Sequence, residues 1–249
     1  MPRTVVIADV HGNLPALEAV LSDCGSYDSL WFLGDAVDLG PWPRECVELV
    51  SRLSAEGVVG NHDEMVLKCE LETATGVLSE SPPRSAQATQ FALWRSISYS
   101  ALTEPNIRYL KGLPQKRSID AFGMRVLLLH HPYPHGYFDD NSSAEDVAGA
   151  FEQPVDHDLV LFGHSHAPIE RTFDSVRYIC VPSVGQPRDC DPRAGYLVIE
   201  GGACSLVRVS YDIDRTVKAI TELPLAEWFV EKWIRFVRTA DASEWHAKK

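Results

Sequence analysis

Short apolar runs recur along the chain, and each one ends in a cluster of polar residues. Residues 4–8 are Thr4, Val5, Val6, Ile7 and Ala8, followed by Asp9; residues 30–33 are Leu30, Trp31, Phe32 and Leu33, followed by Gly34 and Asp35. Val58 and Val59 lead into Gly60, Asn61 and His62, the 126–129 run leads into His130 and His131, and the 159–162 run leads into Gly163 and His164. Unbroken aliphatic and β-branched runs of this length predict strands buried on both faces, in a sheet covered by other layers. Further runs at 177–181, 196–199 and 206–209 predict additional strands.

Helical spacing separates the first strands. Asn13 is a natural N-cap with Pro15 in the first turn; Leu14, Leu17, Val20 or Leu21, and Cys24 then share a face, and Gly25 stops the run. Residues 44–53 place Val47, Val50 and Leu53 with similar spacing. Alternating strand and helix predicts an α/β fold that starts with parallel pairing. The later strands have no helices between them and are expected to pair antiparallel, which makes the sheet mixed.

Residues 64–120 break the rhythm. The stretch 72–89 is rich in Ser, Thr, Ala, Gly and Pro and reads as loosely packed, whereas 88–98 regains helical spacing through Phe91, Trp94 or Arg95, and Ser98. Thr103 caps a further helix, with Pro105 in its first turn and Gly112 at its end. The segment is read as a partly helical insertion. Near the C-terminus, Trp228, Phe229, Trp233, Ile234, Phe236 and Val237 form the apolar stripe of an amphipathic helix. Such a stripe is expected to pack on the core, with a homodimer contact as the alternative use.

Composition narrows the functional classes. The chain has 249 residues, 45% hydrophobic and 23% charged, with 23 Lys plus Arg against 35 Asp plus Glu and a formal net charge of −12. That balance argues against wrapping a nucleic-acid polymer, which needs a basic surface to displace counterions. An anionic substrate must be met locally, by metal ions or a few placed arginines. The six cysteines, Cys24, Cys46, Cys69, Cys180, Cys190 and Cys204, contain no close pair. They read as reduced, in a cytoplasmic protein that uses no membrane.

Residues that end buried strands gather along one edge of a sheet, where α/β folds place their sites. Here that edge collects Asp9, His11, Asp35, Asn61, His62, His130, His131, His164 and His166, six of the nine histidines in the chain. Unpaired carboxylates gathered this way would repel one another and lose hydration; divalent cations remove both problems. Carboxylate, imidazole and amide oxygen without thiolate suit Mn²⁺, Fe²⁺ or Zn²⁺ rather than a structural zinc site. Asp9 and His11 are two apart, as are His164 and His166, so each pair can project to one side. There are donors for two ions about 4 Å apart with Asp35 between them, a spacing that clamps the attacking and leaving oxygens of phosphoryl transfer.

The order of these blocks resembles the calcineurin-like metallophosphoesterases, and within them the small bacterial and archaeal phosphodiesterases of the YfcE-like group. The resemblance rests on Asp9-Val10-His11, Gly34-Asp35, Gly60-Asn61-His62-Asp63, His130 after an aliphatic strand, and Gly163-His164-Ser165-His166. It implies one metallophosphoesterase domain over 1–249, a four-layer αββα sandwich of two mixed sheets flanked by helices, with the 64–120 segment inserted. It also implies two divalent metal ions, Mn²⁺ foremost and Fe, Zn or Ni as alternatives. Asp9, His11, Asp35 and His166 would hold one, and Asp35, Asn61, His130 and His164 the other. His62 would act on the phosphate or the leaving group, with Asp63 orienting its ring. A hydroxide shared by the ions would attack phosphorus in line.

The chain departs from the family pattern in places. His130 is followed by His131 instead of Gly, which leaves a one-residue shift of the ligand open and makes His131 a candidate substrate contact. The loop 181–185 is one residue shorter than usual. Arg188 and Arg193 are candidates for the non-reacting phosphate oxygens, and His135, His157 and His246 read as surface residues. The block 34–40 also resembles the motif of protein phosphatases and diadenosine tetraphosphate hydrolases, but Leu39 stands where they carry an arginine for phosphate. Its loss weakens the hold on a dianionic monoester. The expectation is hydrolysis of small nucleotide-type phosphodiesters, with diadenosine polyphosphates, phosphoprotein or other monoesters as alternatives. A non-catalytic scaffold of the same fold is disfavoured because every ligand position is filled.

Overall fold

The aliphatic runs form the inner strands of two facing sheets in the computed structural model, which describes residues 2–75, 85–132, 137–152 and 155–246. In chain order the elements are β1 (Arg3–Ile7), α1 (Leu14–Asp23), β2 (Ser29–Phe32), α2 (Pro43–Leu53), β3 (Glu56–Gly57), α3 (Asn61–Thr75), α4 (Ala86–Ala101), α5 (Glu104–Gly112), β4 (Lys116–Ala121), β5 (Met124–Leu129), α6 (Ala144–Gly149), β6 (Leu159–Phe162), β7 (Ile169–Phe173), β8 (Val176–Cys180), β9 (Ala194–Glu200), β10 (Ala203–Val209), α7 (Ile213–Thr221), α8 (Glu227–Thr239) and α9 (Ser243–His246). One sheet has the order β10-β9-β1-β2-β3, the other β4-β5-β6-β8-β7. Both are mixed. In the first, β1, β2 and β3 run parallel, and β9 pairs antiparallel with both β1 and β10. In the second, β5, β6 and β8 run parallel, with β4 and β7 antiparallel at the edges.

Alternation along β1 explains why its sequence is unbroken by polar residues. Val6 and Ala8 face the other sheet and pack with Trp31, Leu33, Val126, Leu128, Leu161 and Ile179. Val5 and Ile7 face outward onto α1 and α2, against Leu17, Val20, Val47 and Val50. Because successive side chains point to opposite faces, a strand covered on both sides needs apolar residues throughout. The second sheet is covered in the same way: Val160, Phe162 and Tyr178 pack with Val147, Ala148 and Phe151 on and beyond α6. The layers are therefore helix, sheet, sheet, helix, as expected. Fully burying each such side chain contributes about 1.5–3 kcal/mol.

Some expectations need correction. β8 pairs antiparallel with β7 but parallel with β6. The half-exposed 169–173 segment reverses the chain before β8 enters the sheet, so no helix is needed for the crossover. Helix continues through residue 75 and resumes at 86, so part of the 72–89 stretch is ordered helix; 76–84 lie outside the described residues. The aromatic stripe of α8 is buried in the core as expected. Phe229, Trp233 and Phe236 close on Trp94 of α4 and on Leu39, as a separate apolar cluster. The capping expectations hold at the helix starts: Asn13 accepts from Ala16 N at 3.4 Å, and Thr103 and Asn106 form a reciprocal capping box. Among the described residues no helix is long and apolar enough to cross a membrane, and all six cysteines are free.

Candidate metal centre and catalytic site

The strand ends converge at the C-terminal edges of the parallel strands of both sheets. Asp9 follows β1, Asp35 follows β2, Asn61 opens α3 just after β3, His130 follows β5, and His164 and His166 follow β6. The chain turns sharply there. Asp9, His11, Asp35, Asp38, Leu39, His164 and His166 all adopt positive φ, between +48° and +70°. For residues other than glycine this backbone costs of order 1–3 kcal/mol each, so surrounding bonds must hold it. Asp63 supplies several of them. Its carboxylate accepts from the backbone N–H of Asp35 (2.8 Å), Ala36 (2.9 Å), Val37 (3.3 Å) and Gly60 (3.0 Å). The 183–185 loop braces the other side, where Ser183 Oγ (2.9 Å) and Gly185 N (2.9 Å) donate to the Asp9 carbonyl.

Two groups of donors face one another. Asp9, His11, Asp35 and His166 present atoms within 4.8 Å of one another, and all four are buried; His130, His131 and His164 form a second such group. Asn61 joins the second group: its Oδ1 lies 3.0 Å from His130 Nε2 and 2.8 Å from His164 Nδ1. Asp35 Oδ2 lies between the groups, 3.6 Å from His11 Nε2 and 3.1 Å from His130 Nε2. Asp9 Oδ1 is 3.4 Å from His166 Nε2 and 3.9 Å from His130 Nε2.

Main-chain carbonyls orient the rings. The Nδ1 atoms of His11, His130 and His166 sit 3.2, 2.7 and 2.6 Å from the carbonyl oxygens of Asp38, Leu33 and Gln186. A carbonyl only accepts, so each Nδ1 carries a proton, and in the neutral rings of His11 and His166 Nε2 turns a lone pair inward. His11 Nε2 and His166 Nε2 are then 3.3 Å apart with their lone pairs opposed. Burial favours the neutral rings: it drives His11 to about 3, drives His164 to about 2 with the His130 charge assisting, and pushes His166 well below the usual imidazole range. Burial also works against the His130 imidazolium, but the Asp35 carboxylate outweighs it and His130 rises to about 9. Burial, reinforced by the Asp35 charge, lifts Asp9 to about 7.

His62 stands beside this centre, its ring edge-on to His11 with centroids 4.9 Å apart. Asp63 does not orient it. The ring is held by Asp38, whose Oδ2 lies 2.8 Å from His62 Nδ1. Asp63 is committed to four backbone N–H groups and is placed as a support of the 34–37 turn. Asp38 thus serves two histidines, His62 with its side chain and His11 with its carbonyl. Arg95 of α4 reaches the same carboxylate, Nε to Oδ2 at 3.1 Å. Burial pulls His62 down, but the charges of Asp35 and Asp38 prevail and its pKa stands above the ordinary imidazole value.

Sequence reasoning gave no role to Asp38 or Arg95. Asp38 lay within the 34–40 block, and its position beside the strand end was a usable signal; Arg95, on α4, offered none. His130, not His131, takes the deeper place, at 1% exposure. His131 sits beside it, its ring 4.9 Å from that of His164. Arg188 is tied at its backbone N to the His166 carbonyl (3.2 Å), and its guanidinium lies 5.9 Å from the Tyr137 ring centroid. Exposed Arg193 pairs with half-buried Asp191 at 2.6 Å. His157 bonds Ser118 at 2.8 Å on the rim of β4; His135 lies outside the described residues.

Residues 2–168 match the profile of the calcineurin-like phosphoesterases. The chain belongs to that family. An uncharacterized protein of Methanocaldococcus jannaschii is 31% identical over 246 residues, covering 91% of this chain and 95% of the relative. A metallophosphoesterase from Sphaerobacter thermophilus has a crystal structure that superposes with a TM-score of 0.72 at 32% identity, covering 93% of this chain and 98% of that one. A symmetrical bis(5'-nucleosyl)-tetraphosphatase of Aromatoleum aromaticum is 36% identical over 75 residues, 28% of each chain.

The calcineurin-like phosphoesterases are metal-dependent hydrolases of phosphoesters, and this member has donors that fit a metal pair. Asp35 Oδ2 is buried without a hydrogen bond, since its contact with His130 is out of line. The opposed lone pairs of His11 and His166 ask for a cation between them. The donor set of carboxylate, amide and neutral imidazole suits divalent transition ions. Leu39 is turned into the aromatic cluster of α4 and α8.

Proposed function

We propose that this calcineurin-like phosphoesterase is a dinuclear-metal-dependent phosphodiesterase acting on small nucleotide-type phosphodiesters. The observation that carries the reading is the paired donor set around Asp9 and Asp35, with imidazole tautomers fixed by carbonyls. Asp9, His11, Asp35 and His166 would hold one ion, and Asp35, Asn61, His130 and His164 the other; Mn²⁺ is the first choice, then Fe, Zn or Ni. When bound, the ions supply Lewis-acid polarisation and neutralise phosphoryl charge. The rest of the chemistry belongs to side chains. The charges of Asp35 and Asp38 raise the His62 pKa above the ordinary imidazole value and so favour a proton at Nε2. From there it can hydrogen-bond a phosphoryl oxygen or pass the proton to the leaving alkoxide. Asp38 fixes the ring and balances its charge, Asp63 holds the 34–37 turn, and Arg188 borders the entrance.

The preference for a diester rests on position 39, where an apolar side chain replaces a fork that would grip a dianion. A dinucleoside polyphosphate is a second reading, favoured by the two arginines Arg95 and Arg188 beside His62 and by the partial match to a tetraphosphatase. The test is hydrolysis of bis-p-nitrophenyl phosphate, p-nitrophenyl phosphate and diadenosine tetraphosphate by protein stripped with chelator and reloaded with Mn²⁺. The diester should be turned over fastest. Faster turnover of the monoester or of the tetraphosphate would replace the reading, and the absence of metal-dependent turnover of all three would end it.

A further inference from the structure

His62 has a second face. Beyond the metal centre it lines a cavity of about 390 Å³, within the range of small-molecule sites. The charged part of its wall is His62, Arg95 and Arg188. The apolar part is dominated by Phe91, Trp233 and Trp245. These three rings form one cluster: Phe91 is 6.0 Å from Trp233 and 5.6 Å from Trp245, and the two indoles are 5.1 Å apart. Phe91 and Arg95 lie one turn apart on α4, so a single face of that helix supplies both an aromatic ring and a guanidinium. The opposite wall comes from α8 and α9, at the other end of the chain. Neither wall contributes a metal donor.

We propose that this cavity is the binding site for a planar aromatic group, a nucleobase, attached to the phosphate held at the metal centre. The proposal rests on the phosphoester reading above and names the part of the substrate that the metal centre does not touch. Three features select this occupant. The cavity adjoins the centre through His62, so a group attached to a phosphate bound there can enter it. Its apolar wall is built from aromatic rings, the groups against which planar bases pack. Its charged wall meets an anion locally in a protein whose net charge of −12 would otherwise repel one. Asp38 engages Arg95 through Nε alone, so both Nη groups can reach a phosphate oxygen while the same side chain keeps Asp38 on His62. Arg95 is then a specificity residue delivered by α4.

Adenosine 5'-monophosphate and ribose 5-phosphate separate the base from the phosphate as probes. Titrated calorimetrically into the full-length Mn²⁺-loaded protein, the first should bind at least about tenfold more tightly, the scale of one stacked base, and should quench tryptophan fluorescence. Trp245→Ala should erase that advantage, and Trp245→Phe should retain it. Ala88 also lines the cavity, so Ala88→Trp should block the base from a second direction should the first variant prove unstable. Arg95→Ala should weaken both probes alike. Equal affinity of the two probes for the native protein, or an undiminished advantage in both Trp245→Ala and Ala88→Trp, would overturn the proposal. Tighter binding of cyclohexyl phosphate would do the same, by assigning the cavity to aliphatic groups. Turnover of methyl p-nitrophenyl phosphate separates the two readings. Turnover without a base advantage removes the cavity assignment alone; a base advantage without diester turnover removes the phosphodiesterase reading alone.

Discussion

Asp38 and Asp63 are both buried carboxylates within a few residues of the metal donors, yet their partners give them different tasks. Asp38 faces the His62 ring and the Arg95 guanidinium. Asp38→Asn keeps the shape but removes the charge that holds the His62 proton. We expect kcat to fall by about 10²-fold, with bound metal unchanged because the residue's carbonyl still orients His11. Steady-state kinetics with metal analysis checks this, and an unaltered kcat would detach Asp38 from the chemistry. Asp63 faces only backbone N–H groups. Asp63→Asn turns an amide donor toward some of them, and leaving buried donors unmet should cost more than about 3 kcal/mol. That predicts a fall in Tm of the order of 10 °C, read from a thermal melt. A shift of one or two degrees would mean that the positive-φ backbone at 35–39 is held by something else.

At the scale of elements, the site depends on how closely the turn after β2 approaches the start of α3. A Cβ at Gly60 would overlap the Asp35 carboxylate and its backbone N. Gly60→Ala should therefore displace Asp35, whose Oδ2 lies between the two groups, and lower Mn²⁺ affinity by at least about tenfold while the sheets stay folded. Equilibrium dialysis beside far-ultraviolet circular dichroism measures both; native affinity would show that the turn can yield. The elements differ in how legible they were. Strands β1, β2, β5 and β6 are covered on both faces, so their sequences are continuous apolar runs that stand out. β4 has intermediate and exposed residues only and sits at a sheet edge, so its sequence lacks that signature. The helix starts were legible because Asn13 and Thr103 cap locally. The partner of α8 was not, because a stripe of aromatics requires burial but carries no address; here the cover is α4.

For the whole molecule, charge and folding meet at the metal centre. In the protein without metal, a proton on His130, with a pKa of about 9, stands against Asp35 in the place a cation would take. A metal ligand must shed that proton. Below pH 9 each Mn²⁺ bound through His130 should release about one proton, and below pH 7 Asp9, raised to about 7, should release another. Affinity should therefore fall as pH falls, more steeply below pH 7. Calorimetry at pH 8 in two buffers of different ionisation enthalpy counts the protons; identical apparent enthalpies would show that His130 is already neutral. Binding only the folded state, the metal should also raise Tm with concentration. The sequence alone determined the layer class and which polar residues gather at the edge where the two donor groups meet. Runs buried on both faces, and the polar residues that end them, are local patterns that survive without coordinates. Only the tertiary structure decided which carboxylate serves His62, where the aromatic helix packs, and which arginine reaches the site. Those depend on segments distant in the chain meeting in space: α4 against α8, and Arg95 against Asp38. No local spacing encodes such encounters, because packing of the whole fold, not the period of one element, brings the groups within reach.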